Sequence, residues 1–267
     1  MSTASLPGGI LLALLGVLGL LIGSFLNVVV HRVPLGLSIA SPGSACPGCG
    51  DPVRPRDNVP VVSWLLLRGR CRGCAEPISV RYPLVELSTG LVFVLAGWRF
   101  GVSAYTLGAV VVLAAGVAHF LIDLEHQRLP FPITGVAACG VLVALGLDAG
   151  LNGPDVLWPA AASAGVWLAV YGGIWLGTAG RGMGLGDVAL APVLGLVLGW
   201  LGWGPSLVGL GAGFVIGGLV GVALIASGRV GRRARVPHGP FLLSGAVLGM
   251  FAGAPLWEGY LGVVGLT

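Results

Sequence analysis

Lysine is missing from all 267 residues, and charge of either sign is scarce. Asp, Glu, Lys and Arg together make up 9% of the chain, against about a quarter in an ordinary soluble domain. That scarcity excludes a soluble globular protein. The formal net charge of +4 is carried entirely by arginine. In a soluble protein a basic balance points to nucleic acid. Here the arginines stand in short connections between apolar runs, so they are read as topology signals and no nucleic-acid partner is expected. No basic stretch precedes the first apolar run and no small-residue cleavage site follows it, so a retained helix is expected rather than a cleaved signal.

What fills the sequence instead is apolar: 56% of the residues are hydrophobic. Apolar runs lie at about 9–30, 84–98, 104–122, 131–147, 157–178, 188–203, 205–226 and 240–265, the last interrupted by Pro255. Each is near the roughly 20 residues that an α-helix needs to cross a bilayer, with 84–98 and 188–203 on the short side. Arginine occupies every second connection: the long 31–83 segment, Arg128, Arg181, and the cluster Arg229, Arg232, Arg233 and Arg235. The other connections hold only Arg99, Asp148 and Asp155. With the arginine-bearing side in the cytoplasm, the positive-inside rule is satisfied by eight helices with both termini outside. The fold expected is therefore an all-α polytopic membrane protein of about eight transmembrane helices with a small cytoplasmic zinc-knuckle insertion.

That insertion carries Cys46-Pro47-Gly48-Cys49 and Cys71-Arg72-Gly73-Cys74. Two CxxC knuckles about twenty residues apart suit a tetrahedral structural zinc site, or an iron site, with Cys46, Cys49, Cys71 and Cys74 as ligands. Disulfides and free thiols are the competing readings, and a cytoplasmic segment disfavours the former. So short a segment has little core, and bound metal would supply its folding energy. Cys139, inside an apolar run, is expected to be plain packing.

The chemistry concentrates in two carboxylates. Asp123 closes the third run, and Asp187 ends the string Gly182-Met183-Gly184-Leu185-Gly186-Asp187 at the mouth of the sixth. The topology puts both at the cytoplasmic membrane surface. A carboxylate at a membrane helix end raises a functional hypothesis. Two that share a site can hold one proton between them and run aspartyl-protease chemistry. The competing readings are a helix N-cap for Asp187 and an interfacial polar residue for Asp123. A nucleotide-binding glycine loop is excluded, because both flanks are membrane runs.

Asp123 followed by Leu129-Pro130, together with the Gly182–Asp187 string, resembles the two active-site motifs of the type 4 prepilin peptidases, bacterial members of the GxGD intramembrane aspartyl proteases. The opening Gly23-Ser24-Phe25-Leu26-Asn27-Val28-Val29-Val30-His31-Arg32-Val33-Pro34, the paired CxxC knuckles, Asn58-Val59-Pro60, Ser79–Glu86 and the late Val236-Pro237-His238-Gly239-Pro240-Phe241 continue the resemblance in order along nearly the whole chain. It implies catalytic roles for Asp123 and Asp187 and a substrate loop at Gly182, Gly184 and Gly186, whose glycines let an extended backbone come close. It implies a leader peptidase that cuts type 4 prepilins or pseudopilins after a glycine. It also implies N-methylation of the new N-terminal residue, with S-adenosylmethionine as methyl donor. The site would lie in the bacterial plasma (inner) membrane, among membrane lipid, facing the cytoplasm. Residues 1–30 would form the first helix, 31–83 the four-cysteine zinc-binding segment and 84–267 the peptidase part. Glu86 matches a family glutamate, read either as a cofactor-binding or active-site candidate or as a carboxylate favoured by a helix N-terminus. Three positions depart from the pattern: Ala189 replaces a common lysine, Phe131 an aspartate, and His238 a phenylalanine. A peptidase without methyltransferase activity and a non-catalytic membrane assembly factor are the competing functions.

Overall fold

Each of the eight apolar runs is helical in the computed structural model, which describes residues 8–229, 231 and 236–266. The long helices are α1 (Gly8–Arg32), α3 (Arg81–Phe100), α4 (Ala104–His126), α5 (Phe131–Asn152), α6 (Leu157–Gly177), α7 (Leu185–Leu201), α8 (Trp203–Ala226) and α9 (Gly239–Val264), with a five-residue helix, α2 (Val62–Leu66), in the 31–83 segment. All of the long ones except α7 are long and apolar enough to cross a bilayer, and the chain is a multi-pass membrane protein. No strand forms among the described residues, which keeps every backbone bond inside its own segment, as a bilayer demands. Of the expected arginine cluster before α9, Arg232, Arg233 and Arg235 lie outside the described residues. Pro255, which interrupts the last apolar run, lies inside the continuous helix α9. Membrane helices tolerate an internal proline where neighbouring groups satisfy the freed carbonyl.

The chain divides into two units. The first holds α1, the 31–83 segment, α3 and parts of α4. Small residues let α1 and α3 meet closely. A Cβ on Gly19 would lie 2.8 Å from the Gly90 Cα, and one on Gly23 would lie 2.7 Å from the Glu86 Cα. Such small-residue contacts drive helix association where water is absent. In the 31–83 segment the two knuckles repeat one geometry. The Cys46 N–H bonds to the Asp51 carbonyl at 2.9 Å and the Cys71 N–H to the Glu76 carbonyl at 2.8 Å, with bridges Ala45–Pro52 and Arg70–Pro77 behind them. Arg72 forks onto Asp57 through Nε at 2.9 Å and Nη2 at 2.6 Å, which holds the Asp57 carboxyl below its ordinary range.

In the second unit α7 is the sheathed element. It packs against α5, α6, α8 and α9, and ten of its 17 residues are buried. Its length of roughly 25 Å falls short of a bilayer core. The flanking helices cover it, so it need not match lipid thickness alone. Gly195 and Gly199 bring it against α6, with a Cβ on Gly195 lying 2.8 Å from Trp167 Cγ. A buried polar cluster locks the contact. Ser163 donates to the Gly195 carbonyl at 2.7 Å and shares a 2.6 Å bond with Ser206, which also accepts from Trp167 Nε1 at 3.0 Å. α8 and α9 join through another small-residue seam, where a Cβ on Gly249 would sit 2.9 Å from the Gly209 Cα.

Candidate active site

Asp123 stands in the last turn of α4 and is 5% exposed. Its Oδ2 accepts the backbone N–H of Gly239 at 2.9 Å. Gly239 is the first residue of α9, so the amide comes from the group of N–H donors that a helix start leaves without intrahelical partners. A Cβ there would lie 2.7 Å from Asp123 Oδ2 and 3.0 Å from Leu129 Cδ2. Only glycine allows this approach. The sequence alone places Gly239 in a late motif and gives it no role. What could have found it is the helix-starting pattern Gly239-Pro240, with proline suited to a first turn.

Asp187 occupies the first turn of α7 and is 8% exposed. It is not the N-cap. It reaches back three residues, and its Oδ2 accepts the N–H of Gly184, the residue that is. Its Oδ1 is buried without a hydrogen-bond partner among the described protein groups. The capping interaction thus engages one oxygen and leaves the other. The two carboxylates lie near enough to act on one another through charge. Leu129 lies between their supports, since a Cβ on Gly186 would fall 2.7 Å from Leu129 Cβ and one on Gly239 would fall 3.0 Å from Leu129 Cδ2. The Leu129-Pro130 turn is therefore wedged against the starts of both α7 and α9.

The glycine string has a packing reason at every position. Beside Gly186, a Cβ on Gly182 would meet Thr178 Cγ2 at 2.9 Å, and one on Gly184 would meet Asp187 Oδ2 at 3.2 Å. Gly182 and Gly184 are also exposed.

His238 does not stand open at the site. Its Nε2 shares a 3.3 Å bond with Tyr171 Oη, and the rings of Tyr171, Phe214 and Phe241 lie 5.8, 5.6 and 6.3 Å away. Burial in this aromatic setting lowers its pKa and favours the neutral ring, a fair substitute for phenylalanine. A buried histidine that the sequence reading missed, His119, lies one helical turn before Asp123. Its Nε2 bonds Thr134 Oγ1 of α5 at 3.1 Å, and its Nδ1 has no hydrogen-bond partner among the described residues. Ala189 is half-buried and Phe131 is exposed. Cys139 is exposed in an apolar groove on α4 and α5 lined by Leu107, Val136, Val143 and Leu147, where buried packing was expected. A lipid-facing helix surface is as apolar as a core, so composition alone could not separate the two.

Glu86, in the first unit, is buried and accepts the Val61 N–H at 2.7 Å through Oε2. The four cysteine sulfurs gather within 4.8 Å of one another. Cys46 Sγ lies 3.7 Å from Cys74 Sγ, and Cys49 Sγ 4.0 Å from Cys71 Sγ. A tetrahedron with Zn–S bonds of about 2.3 Å has sulfurs about 3.8 Å apart. All four thiols are free, so the cluster is not a pair of disulfides and is able to hold a metal ion. Backbone N–H groups of Cys74 and Gly73 lower the Cys71 pKa to about 7, while burial and the neighbouring sulfurs raise those of Cys49 and Cys74, so the four thiols share their charge unevenly.

Residues 17–100 match the Bacterial Peptidase A24 N-terminal domain, and residues 110–226 match the Type IV leader peptidase family. The chain belongs to the type IV leader peptidase family. This is an aspartic protease family, and the second match spans both Asp123 and Asp187. The prepilin leader peptidase/N-methyltransferase of Myxococcus xanthus is 44% identical over 242 residues, covering 87% of this chain and 70% of that protein. The enzyme of the same name from Stutzerimonas stutzeri is 34% identical over 274 residues, covering 92% of each chain. That from Neisseria gonorrhoeae is 34% identical over 290 residues, covering 97% of this chain and 96% of its own. No solved structure gives a significant match.

Proposed function

We propose that this leader peptidase removes the leader of type 4 prepilins or pseudopilins by an Asp123–Asp187 mechanism, and methylates the new N-terminal residue with S-adenosylmethionine as donor. The observation that carries the peptidase half is the pair of buried carboxylates held at the starts of α7 and α9. A glycine amide holds one oxygen of each, and Asp187 Oδ1 is left without a protein partner. Held this way, the pair can carry one proton between them and titrate as a unit. The ionised carboxylate takes a proton from water as the water oxygen attacks the scissile carbonyl carbon. The protonated one donates its proton to the carbonyl oxygen. When the tetrahedral intermediate collapses, the C–N bond breaks, the amine leaves with the proton returned from the carboxyl that had accepted it, and a hydroxyl of the intermediate gives its proton back to the carboxylate that had donated one, which restores the singly protonated pair. The backbone amides fix the carboxylates before substrate arrives, so little reorganisation is left for the chemical step.

In this reading the arginine-bearing connections face the cytoplasm, where a basic leader would remain. Residues 31–83 form a zinc-stabilised segment and 84–267 carry catalysis. The glycine string would meet the extended substrate backbone at its exposed Gly182 and Gly184. Glu86 is a candidate for the methyl-transfer half, with one oxygen already engaged by Val61.

The test uses purified full-length enzyme, a synthetic prepilin and mass spectrometry. Asp123→Asn and Asp187→Asn should each lower cleavage by at least about 10³-fold while the protein still inserts. Processing that survives in either variant removes the dyad, and a lack of cleavage by the unmodified enzyme favours a non-catalytic assembly factor. Cleavage by the unmodified enzyme without a methyl-sized mass gain removes the methyltransferase half alone.

A further inference from the structure

The 31–83 segment presents an apolar turn that the peptidase reading leaves without a use. Val62, Leu65 and Leu66 of α2 are 50%, 60% and 77% exposed. The opposite side of the same turn is firmly held. Ser63 is buried and donates to the Arg56 carbonyl at 3.0 Å, while its Oγ accepts the Val59 N–H. The Trp64 indole donates to the Ile78 carbonyl at 3.1 Å and covers Gly69, where a Cβ would lie 2.9 Å from the ring. The three apolar side chains therefore project from a fixed base and cannot fold back onto the segment.

The depth of this turn follows from its tether. Val61, the residue before α2, has φ +61°, a conformation that a β-branched residue rarely adopts. Its N–H is bound by Glu86 at 2.7 Å. Glu86 is the sixth residue of α3, about 8 Å along the helix from its start. Asn27 of α1 ties the same end of the pair through the Tyr82 carbonyl at 3.2 Å, and Tyr82 is itself half-exposed, as residues at a membrane surface are. Since α1 and α3 are spans, α2 starts level with the second turn of a membrane helix. Its charge fits that level. Arg68 and Arg70 follow at once and are exposed, and no acidic residue occurs from Asn58 to Ala75.

We propose that α2 is an interfacial anchor: Val62, Leu65 and Leu66 enter the headgroup region of an anionic bilayer, and Arg68 and Arg70 contact the lipid phosphates. Apolar side chains beside arginines are the pattern of a segment that lies in the interface, and anionic headgroups complement the uncompensated cations. The anchor would hold the metal-binding segment against the membrane at the mouth of the α1–α3 pair. The inference rests on α1 and α3 crossing the bilayer and stands apart from the dyad chemistry.

The test places a diazirine amino acid at Leu66 in the full-length protein, reconstituted in vesicles of phosphatidylethanolamine and phosphatidylglycerol. Ser44, exposed on the first knuckle, carries the control reporter. Irradiation and mass spectrometry should give phospholipid adducts at position 66 and chiefly water adducts at 44. Water adducts or protein crosslinks dominating at 66, or equal lipid labelling at both positions, would overturn the anchor. With Arg68→Gln and Arg70→Gln together, the phosphatidylglycerol share of adducts at 66 should fall at least twofold. An unchanged share overturns the phosphate contact.

Discussion

In the proposed dyad Gly239 is a positioning residue that takes no part in the chemistry. Its amide holds Asp123, and it has no side chain to push the carboxylate away. Gly239→Ala would put a methyl group 2.7 Å from Asp123 Oδ2, and one of the two must move. We expect kcat for prepilin cleavage to fall by about 10²-fold, since a displacement near 1 Å costs that much. KM and detergent-state melting should change little. His119 makes a different kind of prediction. Thr134→Val would leave both ring nitrogens of a fully buried imidazole without partners and should cost about 1–3 kcal/mol of stability. Adding His119→Leu should restore part of the loss, because removing both partners avoids the orphaned group. Thermal unfolding in detergent checks both, and a double variant no more stable than Thr134→Val would assign His119 a role other than this tie.

At the scale of elements, α7 and the cysteine knuckles each depend on something outside themselves. α7 is short and holds its place through α6 and α8. Ser206→Ala would leave the Trp167 N–H and the Ser163 hydroxyl short of a partner in a buried seam. We expect a loss of about 1 kcal/mol and a secondary loss of cleavage as Asp187 shifts with its helix. Ser206→Thr keeps the hydroxyl and should retain more of both. The knuckles depend on metal. Purified protein should contain about one zinc per chain, lost when Cys46 and Cys49 become serine. The segment 31–83 should then become sensitive to protease while the spans stay protected, because its fold rests on four ligands and little core. A metal-free protein with an intact segment would defeat the zinc assignment.

For the whole molecule, the arginine pattern is the quantity to test. Of the fourteen arginines, only Arg99 falls in the connections expected outside. Protease added to inverted membrane vesicles should therefore cut the 31–83 segment, and protease added to intact spheroplasts should spare it. The opposite result would reverse the proposed orientation and move the proposed Asp123–Asp187 pair to the other face.

Most of the architecture was legible in the residues alone, because a bilayer accepts so few backbone solutions. All eight apolar runs are helices, and the short sixth run is the short α7. The paired CxxC spacing likewise pointed to four converging sulfurs, a local property of two tight turns. What the sequence could not carry is distance between elements far apart in the chain. The amide that holds Asp123 lies 116 residues away on α9. The glycines read as room for substrate each have a neighbour of their own: Thr178, the Asp187 carboxylate and Leu129. Glu86, read either as a cofactor-binding or active-site candidate or as a carboxylate at a helix start, also clasps a strained turn across 25 residues. Composition and periodicity report which side chains suit lipid, metal or helix ends, since those are properties of short stretches. Which glycine meets which carboxylate is settled by packing, and only the tertiary structure decides it.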